Sequence, residues 1–340
     1  MDPLGPNDAC VTQLDLEGTL FRVALLCGYG AQAKDLAARM TSVCQGNVGR
    51  SCVDAGAPVQ ITVEAPGEAD LRIGLRLGKS LEEAHLRALL PDGRAAGFVQ
   101  AYSGLASADH PSLGYWLFWS RNRQSIFADL RDPDPTAAGQ RVRPILHPSE
   151  QARLDVIQSL NLGGRPWGIS LELDGDGPRR TYLYWFTSRS REASACVESL
   201  HPGGWHQVVD VLGNLLSLPG QSGRWLVAIP LAPSHERDGL WVGNSAWGLV
   251  PENQKHRAVG SLMARFRGPR TYAEALWSFC RSSAEPSWRV GRTCEVGLGK
   301  GGPRVRLLLT PQVIGAMARI SNSESSVSST GPVDVVPFDE

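Results

Sequence analysis

The chain of 340 residues is 42% hydrophobic and 20% charged, so it can bury a large core and does not have the composition of a disordered protein. Its 34 basic and 34 acidic residues give a formal net charge of zero, so no overall field attracts nucleic acid or an anionic membrane. The best candidate for a membrane span, residues 20–29, is interrupted by Arg22 and is far shorter than the roughly 20 apolar residues required. The same segment lacks the basic region and cleavage site of a secretory signal. We therefore expect a cytoplasmic protein.

The first segment, residues 1–56, has apolar side chains at helical spacing, which predicts one or two helices packed on the domain that follows. After Pro58 the apolar period changes to two. Residues 60–63 and 71–77 are β-prone runs separated by Ala-Pro-Gly-Glu-Ala, which predicts a hairpin. Ser80 then precedes a helical run over 81–90, with Glu83 three residues on as in a capping box.

This order of elements returns along the chain, and such repeats indicate an architecture before any motif does. Strand-like runs over 167–173 and 180–186 precede helical stretches over 192–200 and 208–216. Runs over 225–231 and 239–244 precede helices over 253–266 and 272–281, and runs over 288–298 and 304–309 precede a closing helix over 313–320. A less regular copy has a strand over 115–119, a partner strand that the pattern does not locate, and a Pro-rich loop over 129–143.

About five hairpins alternating with helices predict an α+β fold: a ten-stranded antiparallel β/α barrel of repeated ββαα units, with helices outside, over residues 57–320. A doubly wound parallel sheet is excluded, because it needs one strand per crossover. Closing ten strands leaves a lumen too wide for side chains alone to fill, and this lumen is the predicted site. The Ser- and Thr-rich tail, residues 321–340, is expected to be disordered.

Several short segments occupy matching positions in these hairpins, and together they resemble the ABBA, or PT-barrel, prenyltransferase superfamily, particularly the bacterial soluble aromatic prenyltransferases, over about residues 57–310. The segments are Leu-Arg-Ile-Gly-Leu-Arg at 71–76, Tyr-Trp-Leu-Phe at 115–118, Pro-Ser-Glu-Gln-Ala-Arg-Leu at 148–154, Gly-Ile-Ser-Leu-Glu-Leu at 168–173, Thr-Tyr-Leu-Tyr at 181–184, Glu-Arg at 236–237, Trp-Arg-Val-Gly at 288–291 and Arg-Val-Arg at 304–306. The resemblance implies transfer of a dimethylallyl or longer allylic group from an allylic diphosphate to an electron-rich aromatic acceptor, such as a phenol, an indole or a tryptophan derivative, by carbocation-type substitution.

The resemblance also implies that basic and tyrosine side chains of the inner strands hold the diphosphate. Strand residues two or four apart point to the same side, so several such side chains can share the lumen. Arginine forks match phosphate oxygens, and a tyrosine hydroxyl donates without adding charge. The diphosphate-binding candidates are Arg72, Arg76, Arg180, Tyr182, Tyr184, Arg237, Arg304 and Arg306.

The other candidates are aromatic rings and one carboxylate. The rings Trp116, Phe118, Phe186 and Trp241 could shield an allylic cation or hold the acceptor, with ordinary packing as the alternative. Glu172 is the catalytic candidate, a proton acceptor that faces the lumen if its two leucine neighbours bury against helices, and a solvated rim otherwise.

No metal site is predicted, because the seven cysteines include no CxxC pair and no histidine at ligand spacing. The chain lacks a DDxxD pair, so no cofactor is required; Mg²⁺ is compatible with the pattern but not implied by it.

The acceptor stays open: the partners are an allylic diphosphate and an aromatic small molecule or a side chain of a ribosomal peptide, bound by a monomer. The second alternative is a barrel that binds a hydrophobic ligand or a protein partner without turnover. The uncharged hairpin strand over 115–119 favours this alternative, and the recurrent strand arginines and tyrosines oppose it.

Overall fold

The computed structural model describes residues 17–18, 20–22, 24–25, 29–44, 59–65, 71–77, 115–119, 123–129, 140, 142–160, 162–174, 180–216, 224–231, 239–244, 254, 257, 261, 287–299 and 301–312. Antiparallel strands form the centre of this part of the chain. They are β1 (Val59–Ala65), β2 (Leu71–Leu77), β3 (Tyr115–Trp119), β4 (Arg123–Asp129), β5 (Arg165–Asp174), β6 (Arg180–Thr187), β7 (Trp225–Pro230), β8 (Leu240–Asn244), β9 (Ser287–Leu298) and β10 (Arg304–Gln312). Each strand pairs with its neighbour in sequence, and β10 pairs with β1, so the sheet closes on itself.

The described helices follow the local signals of the sequence. They are α1 (Ala33–Cys44), α2 (Pro148–Ser159), α3 (Ser190–Leu200) and α4 (Gly204–Leu216). α2 begins with a capping box, in which the backbone N–H of His147 donates to Glu150 Oε2 at 2.9 Å. In the described residues, no helix has both the length and the hydropathy that a membrane crossing needs.

The turn between α3 and α4 is fixed by one carboxylate. Glu198 accepts the backbone N–H groups of Gly203 at 2.7 Å and of Trp205 at 3.0 Å, which would otherwise have no acceptor at the start of α4. These two hydrogen bonds lower the pKa of Glu198 below its usual 4.5. α3 then packs against β7 and α4 against β9, outside the barrel.

The strands have two chemically different faces. Side chains such as Leu183 and Val227 belong to the outer, apolar face and are fully buried. The alternate residues are largely polar, and two of them show that this second face lines the interior: Arg72 on β2 contacts Glu172 on β5, although β3 and β4 lie between these strands. Strand alternation therefore places a polar lumen inside an apolar shell.

Much of the sequence prediction can be compared directly with these elements. The antiparallel, closed sheet is confirmed, and β4 is the partner strand that the pattern had not located. One unit of two strands followed by two helices, β5, β6, α3 and α4, is complete. The helices predicted over 81–90, 272–281 and 313–320 and the tail over 321–340 lie outside the described residues, as does most of the helix predicted over 253–266.

Candidate functional site

Two cross-strand ion pairs organise the charge inside the lumen. Arg72 Nη1 donates to Glu172 Oε1 at 2.8 Å, and Arg306 Nη1 donates to Glu295 Oε2 at 3.0 Å. All four residues are at most 8% exposed. Because an unpaired charge at such burial would be strongly destabilising, each arginine and its glutamate are best regarded as one unit.

A third glutamate joins these pairs into one network. Glu64 on β1 accepts a hydrogen bond from Arg304 Nη1 through Oε1 at 3.1 Å and one from Arg306 Nη2 through Oε2 at 3.4 Å. Arg72 Nη2 is 3.7 Å from Glu64 Oε2, within ion-pair distance. One buried carboxylate therefore lies among three guanidinium groups carried by the two strands on either side of it, β2 and β10.

The pKa values of two glutamates of this network, Glu64 and Glu295, are shifted in opposite directions. Burial raises the pKa of Glu64, but the guanidinium groups of Arg306, Arg72 and Arg304 outweigh it and hold the pKa below its usual 4.5. For Glu295, burial outweighs the charge and hydrogen bond of Arg306, so its pKa lies above 4.5. Glu64 is thus the firmly ionised member, and Glu295 is the member that gains a proton more readily.

The indole of Trp241 forms the wall beside this network. The guanidinium carbon of Arg306 is 3.8 Å from the ring centroid, and that of Arg304 is 4.8 Å from it. Gly297 pairs with Trp241 on the neighbouring strand, and a Cβ there would lie 2.8 Å from Trp241 Cζ3. Glycine therefore lets the indole lie close against β9 with the arginines over its face, a cation–π arrangement.

A second aromatic group lies on β4 to β6. The rings of Phe127 and Tyr184 meet edge to face with centroids 4.9 Å apart. Gly168 pairs with Tyr184 in register, and the Phe127 ring occupies the space that a Cβ at Gly168 would need. Burial raises the pKa of Tyr184 to about 12, so its hydroxyl keeps its proton and can donate at neutral pH.

Two stacked pairs extend the aromatic surface. Trp116 and Phe118 on β3 stack with centroids 5.9 Å apart. Trp167 stacks on Phe186 at 4.8 Å, because a register shift between Pro166 and Gly168 interrupts the alternation of β5 at this position. All four aromatic candidates from the sequence thus lie in ring or guanidinium contacts.

The structure brings together part of the predicted diphosphate set. Arg72, Arg304 and Arg306 converge on Glu64. Tyr182 is 4% exposed and packs with Trp241 and Ala228, and partly buried Tyr184 packs against this cluster. The predicted base, Glu172, lies in the lumen and not on a solvated rim.

For two of the remaining diphosphate candidates the strand position is known, and the third is not described. Arg180 begins β6 and pairs with Glu172 in register. The backbone of Arg76 pairs with that of Trp116 on β3. Arg237 lies outside the described residues.

Glu64, Glu295 and Phe127 lie in the lumen and were not among the candidates that the sequence indicated. A signal for Glu64 was present in the sequence, because Thr62 and Glu64 stand between apolar residues in β1 and so share one face. Arg72, Arg304 and Arg306, which the sequence indicates as diphosphate ligands, therefore each have a carboxylate against them. Within the described ranges, no group of three or more His, Cys, Asp or Glu side chains is arranged to hold a metal ion.

Solved structures share this fold. The apo form of the prenyltransferase PriB superposes with a TM-score of 0.64 at 14% identity, covering 89% of this chain and 99% of that chain. The 6-dimethylallyltryptophan synthase from Micromonospora olivasterospora gives 0.64 at 14%, covering 87% and 96%, and AnaPT from Neosartorya fischeri gives 0.61 at 12%, covering 88% and 94%. The chain therefore has the fold of the ABBA-type aromatic prenyltransferases. No protein-family model and no curated protein sequence matches the chain.

Proposed function

We propose that this chain is a prenyltransferase that moves a dimethylallyl or longer allylic group from an allylic diphosphate to an electron-rich aromatic acceptor. The observation that carries the proposal is the stack of Arg306 on Trp241, 3.8 Å from the ring centroid, inside a closed barrel. It places fixed positive charge and a π face side by side. Ionisation of an allylic diphosphate produces an anion and a carbocation together, and these are the two groups that such a pair can stabilise.

The diphosphate would bind to the arginines around Glu64. Arg72, Arg304 and Arg306 present guanidinium forks to a common point, and forks of this kind bind phosphate oxygens in pairs. The hydroxyl of Tyr184, protonated at neutral pH, adds a neutral donor beside Arg306. Arg76, Arg180, Tyr182 and Arg237 are proposed as further ligands from the resemblance alone.

The allylic group would lie against the aromatic wall. Phe127 and Tyr184 present an edge-to-face pair, and Trp116, Phe118 and Phe186 extend the apolar surface. Trp241 contributes its indole to the same wall, although two arginines lie over its ring. These π faces would shield the cation from water until the acceptor reacts.

The chemistry then needs one proton acceptor. The bond between the allylic carbon and the diphosphate oxygen breaks, and its electron pair leaves with the diphosphate. A ring carbon of the acceptor forms the new bond to the allylic carbon, and the ring proton passes to a carboxylate. We assign this step to Glu172, which is buried and held by Arg72 at 2.8 Å.

Tryptophan and simple indoles are the acceptors to test first. Two of the structures of the same fold are complexes with tryptophan and a thio analogue of dimethylallyl diphosphate, one of PriB and one of the Micromonospora synthase, and another PriB complex contains the product diphosphate. Their low identity to this chain leaves the acceptor, including a peptide side chain, to be established by assay.

The wider organisation is proposed on the same basis. The ββαα unit completed by β5, β6, α3 and α4 would repeat around a ten-stranded barrel over residues 57–320, preceded by a helical segment over 1–56 and followed by a disordered tail over 321–340. The protein would act as a cytoplasmic monomer without an obligatory metal.

A non-catalytic barrel remains the second candidate, and the observation that favours it is the pairing of Arg72, Arg304 and Arg306 with glutamates. One experiment separates the two. The full chain is incubated with dimethylallyl diphosphate and tryptophan, indoles, phenols or short aromatic peptides, with and without magnesium, and products are analysed by mass spectrometry. A gain of one prenyl unit supports the transferase, whereas no product with any acceptor and no donor binding supports the non-catalytic barrel.

A further inference from the structure

We propose that the Glu64 carboxylate is a built-in counter-ion of the empty lumen, which occupies the arginine-lined position that the donor diphosphate must take and is displaced when the diphosphate binds. This inference rests on the proposed function, because it assigns a competitor to the proposed diphosphate site. Its starting point is the position of Glu64 among Arg72, Arg304 and Arg306.

Two of the contacts of Glu64 are longer than the short pairs of the other two glutamates. Arg72 is 2.8 Å from Glu172 but 3.7 Å from Glu64, and Arg306 is 3.0 Å from Glu295 but 3.4 Å from Glu64. Two of the three contacts of Glu64 are therefore the longer contacts of arginines that have a nearer partner. An incoming anion can replace Glu64 without breaking the two short pairs.

The net charge of the network also favours displacement of a carboxylate when the diphosphate binds. The network contains Arg72, Arg304 and Arg306 against Glu64, Glu172 and Glu295, so its ionised form is neutral. A diphosphate brings at least two further negative charges into a buried site, where like charges a few ångströms apart repel strongly. The anion is accommodated if Glu64 withdraws from the arginines.

The network also has an unused donor for such an anion. Arg306 Nε is buried and has no hydrogen-bond partner in the described part of the chain, while Nη1 and Nη2 of the same group contact Glu295 and Glu64. A phosphate oxygen can satisfy Nε, which the carboxylate of Glu64 leaves unsatisfied. A diphosphate therefore makes hydrogen bonds here that the resident carboxylate does not.

The test measures binding of inorganic pyrophosphate to the full chain by calorimetry, in buffer without divalent cations. Glu64→Gln keeps the size of the side chain and removes its charge, so we expect pyrophosphate to bind about tenfold or more tightly than to the wild type. Asp35→Asn is the matched control: it removes an exposed acid that pairs with Arg39 on α1, and it should leave the affinity within about twofold.

The direction of the change is diagnostic, because general damage to the barrel weakens binding, whereas loss of the Glu64 charge that opposes the diphosphate strengthens it. If the wild type binds pyrophosphate and Glu64→Gln binds it equally or more weakly, the counter-ion role is wrong while the proposed donor site stands. If neither protein binds pyrophosphate, the donor site and the proposed function fail together. Should Glu64→Gln not fold, Glu64→Asp decides: its charge is kept but withdrawn by one methylene, so tighter binding supports the inference and unchanged or weaker binding overturns it.

Discussion

Arg72 and Glu172 meet inside the barrel, with Arg72 Nη1 at 2.8 Å from Glu172 Oε1, although 100 residues separate them in sequence. Their strands, β2 and β5, have β3 and β4 between them, so the ion pair spans part of the lumen. The pair fixes the carboxylate of the proposed base relative to the arginines of the proposed diphosphate site. Geometry of this kind is needed if a proton is to leave the acceptor beside the departing diphosphate.

The substitution Glu172→Gln tests the proposed base. Glutamine can still accept a hydrogen bond from Arg72 but cannot take up the ring proton, so kcat for prenyl transfer should fall by about 10²- to 10⁴-fold. Removing the charged partner at 2.8 Å from Arg72 should also cost about 1–3 kcal/mol of unfolding free energy, measured with denaturant.

Asp155→Asn is the control for this variant, because it breaks an exposed ion pair with Arg143 and should cost less than about 1 kcal/mol with kcat unchanged. Wild-type turnover in Glu172→Gln would show that another group accepts the proton.

Gly297 should tolerate no side chain. In Gly297→Ala the new Cβ would lie 2.8 Å from Trp241 Cζ3, so the indole must move away from β9 and disturb its contact with Arg306. We expect a loss of about 1–3 kcal/mol in unfolding free energy and weaker donor binding.

Gly213→Ala supplies the comparison, since Gly213 lies within α4 and a Cβ there meets nothing within 4 Å. Alanine is the better helix former, so this variant should gain up to about 1 kcal/mol. Equal effects of the two substitutions would contradict the close packing of Trp241 on Gly297.

Phe127 should limit the length of the allylic group. Its ring fills the space over Gly168 and packs edge to face on Tyr184, so Phe127→Ala opens the lumen at the proposed allylic site. The ratio of kcat/KM for geranyl over dimethylallyl diphosphate should rise about tenfold or more, because each additional buried CH₂ contributes about 0.8 kcal/mol.

Phe21→Ala is the matched control, because Phe21 is 37% exposed and belongs to a leading helical segment. It should leave the donor preference as it is. A donor preference that Phe127→Ala does not change would place the allylic group elsewhere in the lumen.

The pH dependence of stability should show the lowered pKa of Glu64 and the raised pKa of Glu295 as opposite effects. The folded-state pKa of Glu64 is below 4.5, so its contribution to stability is present above pH 4.5 and is lost as the pH falls through the folded value. The folded-state pKa of Glu295 is above 4.5, so the folded protein holds its proton longer than the unfolded chain does, and stability falls as the pH rises above 4.5.

Thermal unfolding between about pH 2.5 and pH 7 measures both effects through the difference in Tm from the wild type, with the Glu64 effect below pH 4.5 and the Glu295 effect above it. For Glu295→Gln this difference should become more favourable as the pH rises, and for Glu64→Gln it should become less favourable. Parallel trends in the two variants would contradict the opposite pKa shifts.

Local sequence pattern was sufficient for the described strands other than β4 and for their order. Turn residues at 65–69, 174–178 and 299–303 separate runs with a period of two, and this repetition predicted antiparallel hairpins closing around a lumen. It also placed Glu172 on the face opposite its two leucine neighbours and left the lumen or a solvated rim as its position, because the alternation within β5 is a property of a few neighbouring residues.

Strand irregularities limited what the alternation could predict. β5 shifts register between Pro166 and Gly168, and β10 shifts between Leu307 and Leu309, so the phase of one half of a strand does not carry over to the other. The stacking of Trp167 on Phe186 lies at the first of these shifts and was not predicted.

The sequence by itself therefore determined the described strands other than β4, their antiparallel closure and the alternation of side chains between two faces. Only the tertiary structure decided which of those side chains meet: Glu64 among three arginines, Arg72 with Glu172, and Arg306 over Trp241. The physical reason is the distance along the chain over which each kind of interaction acts. Alternation acts between residues two apart, whereas a contact across the lumen depends on the number, tilt and register of all the strands between its partners.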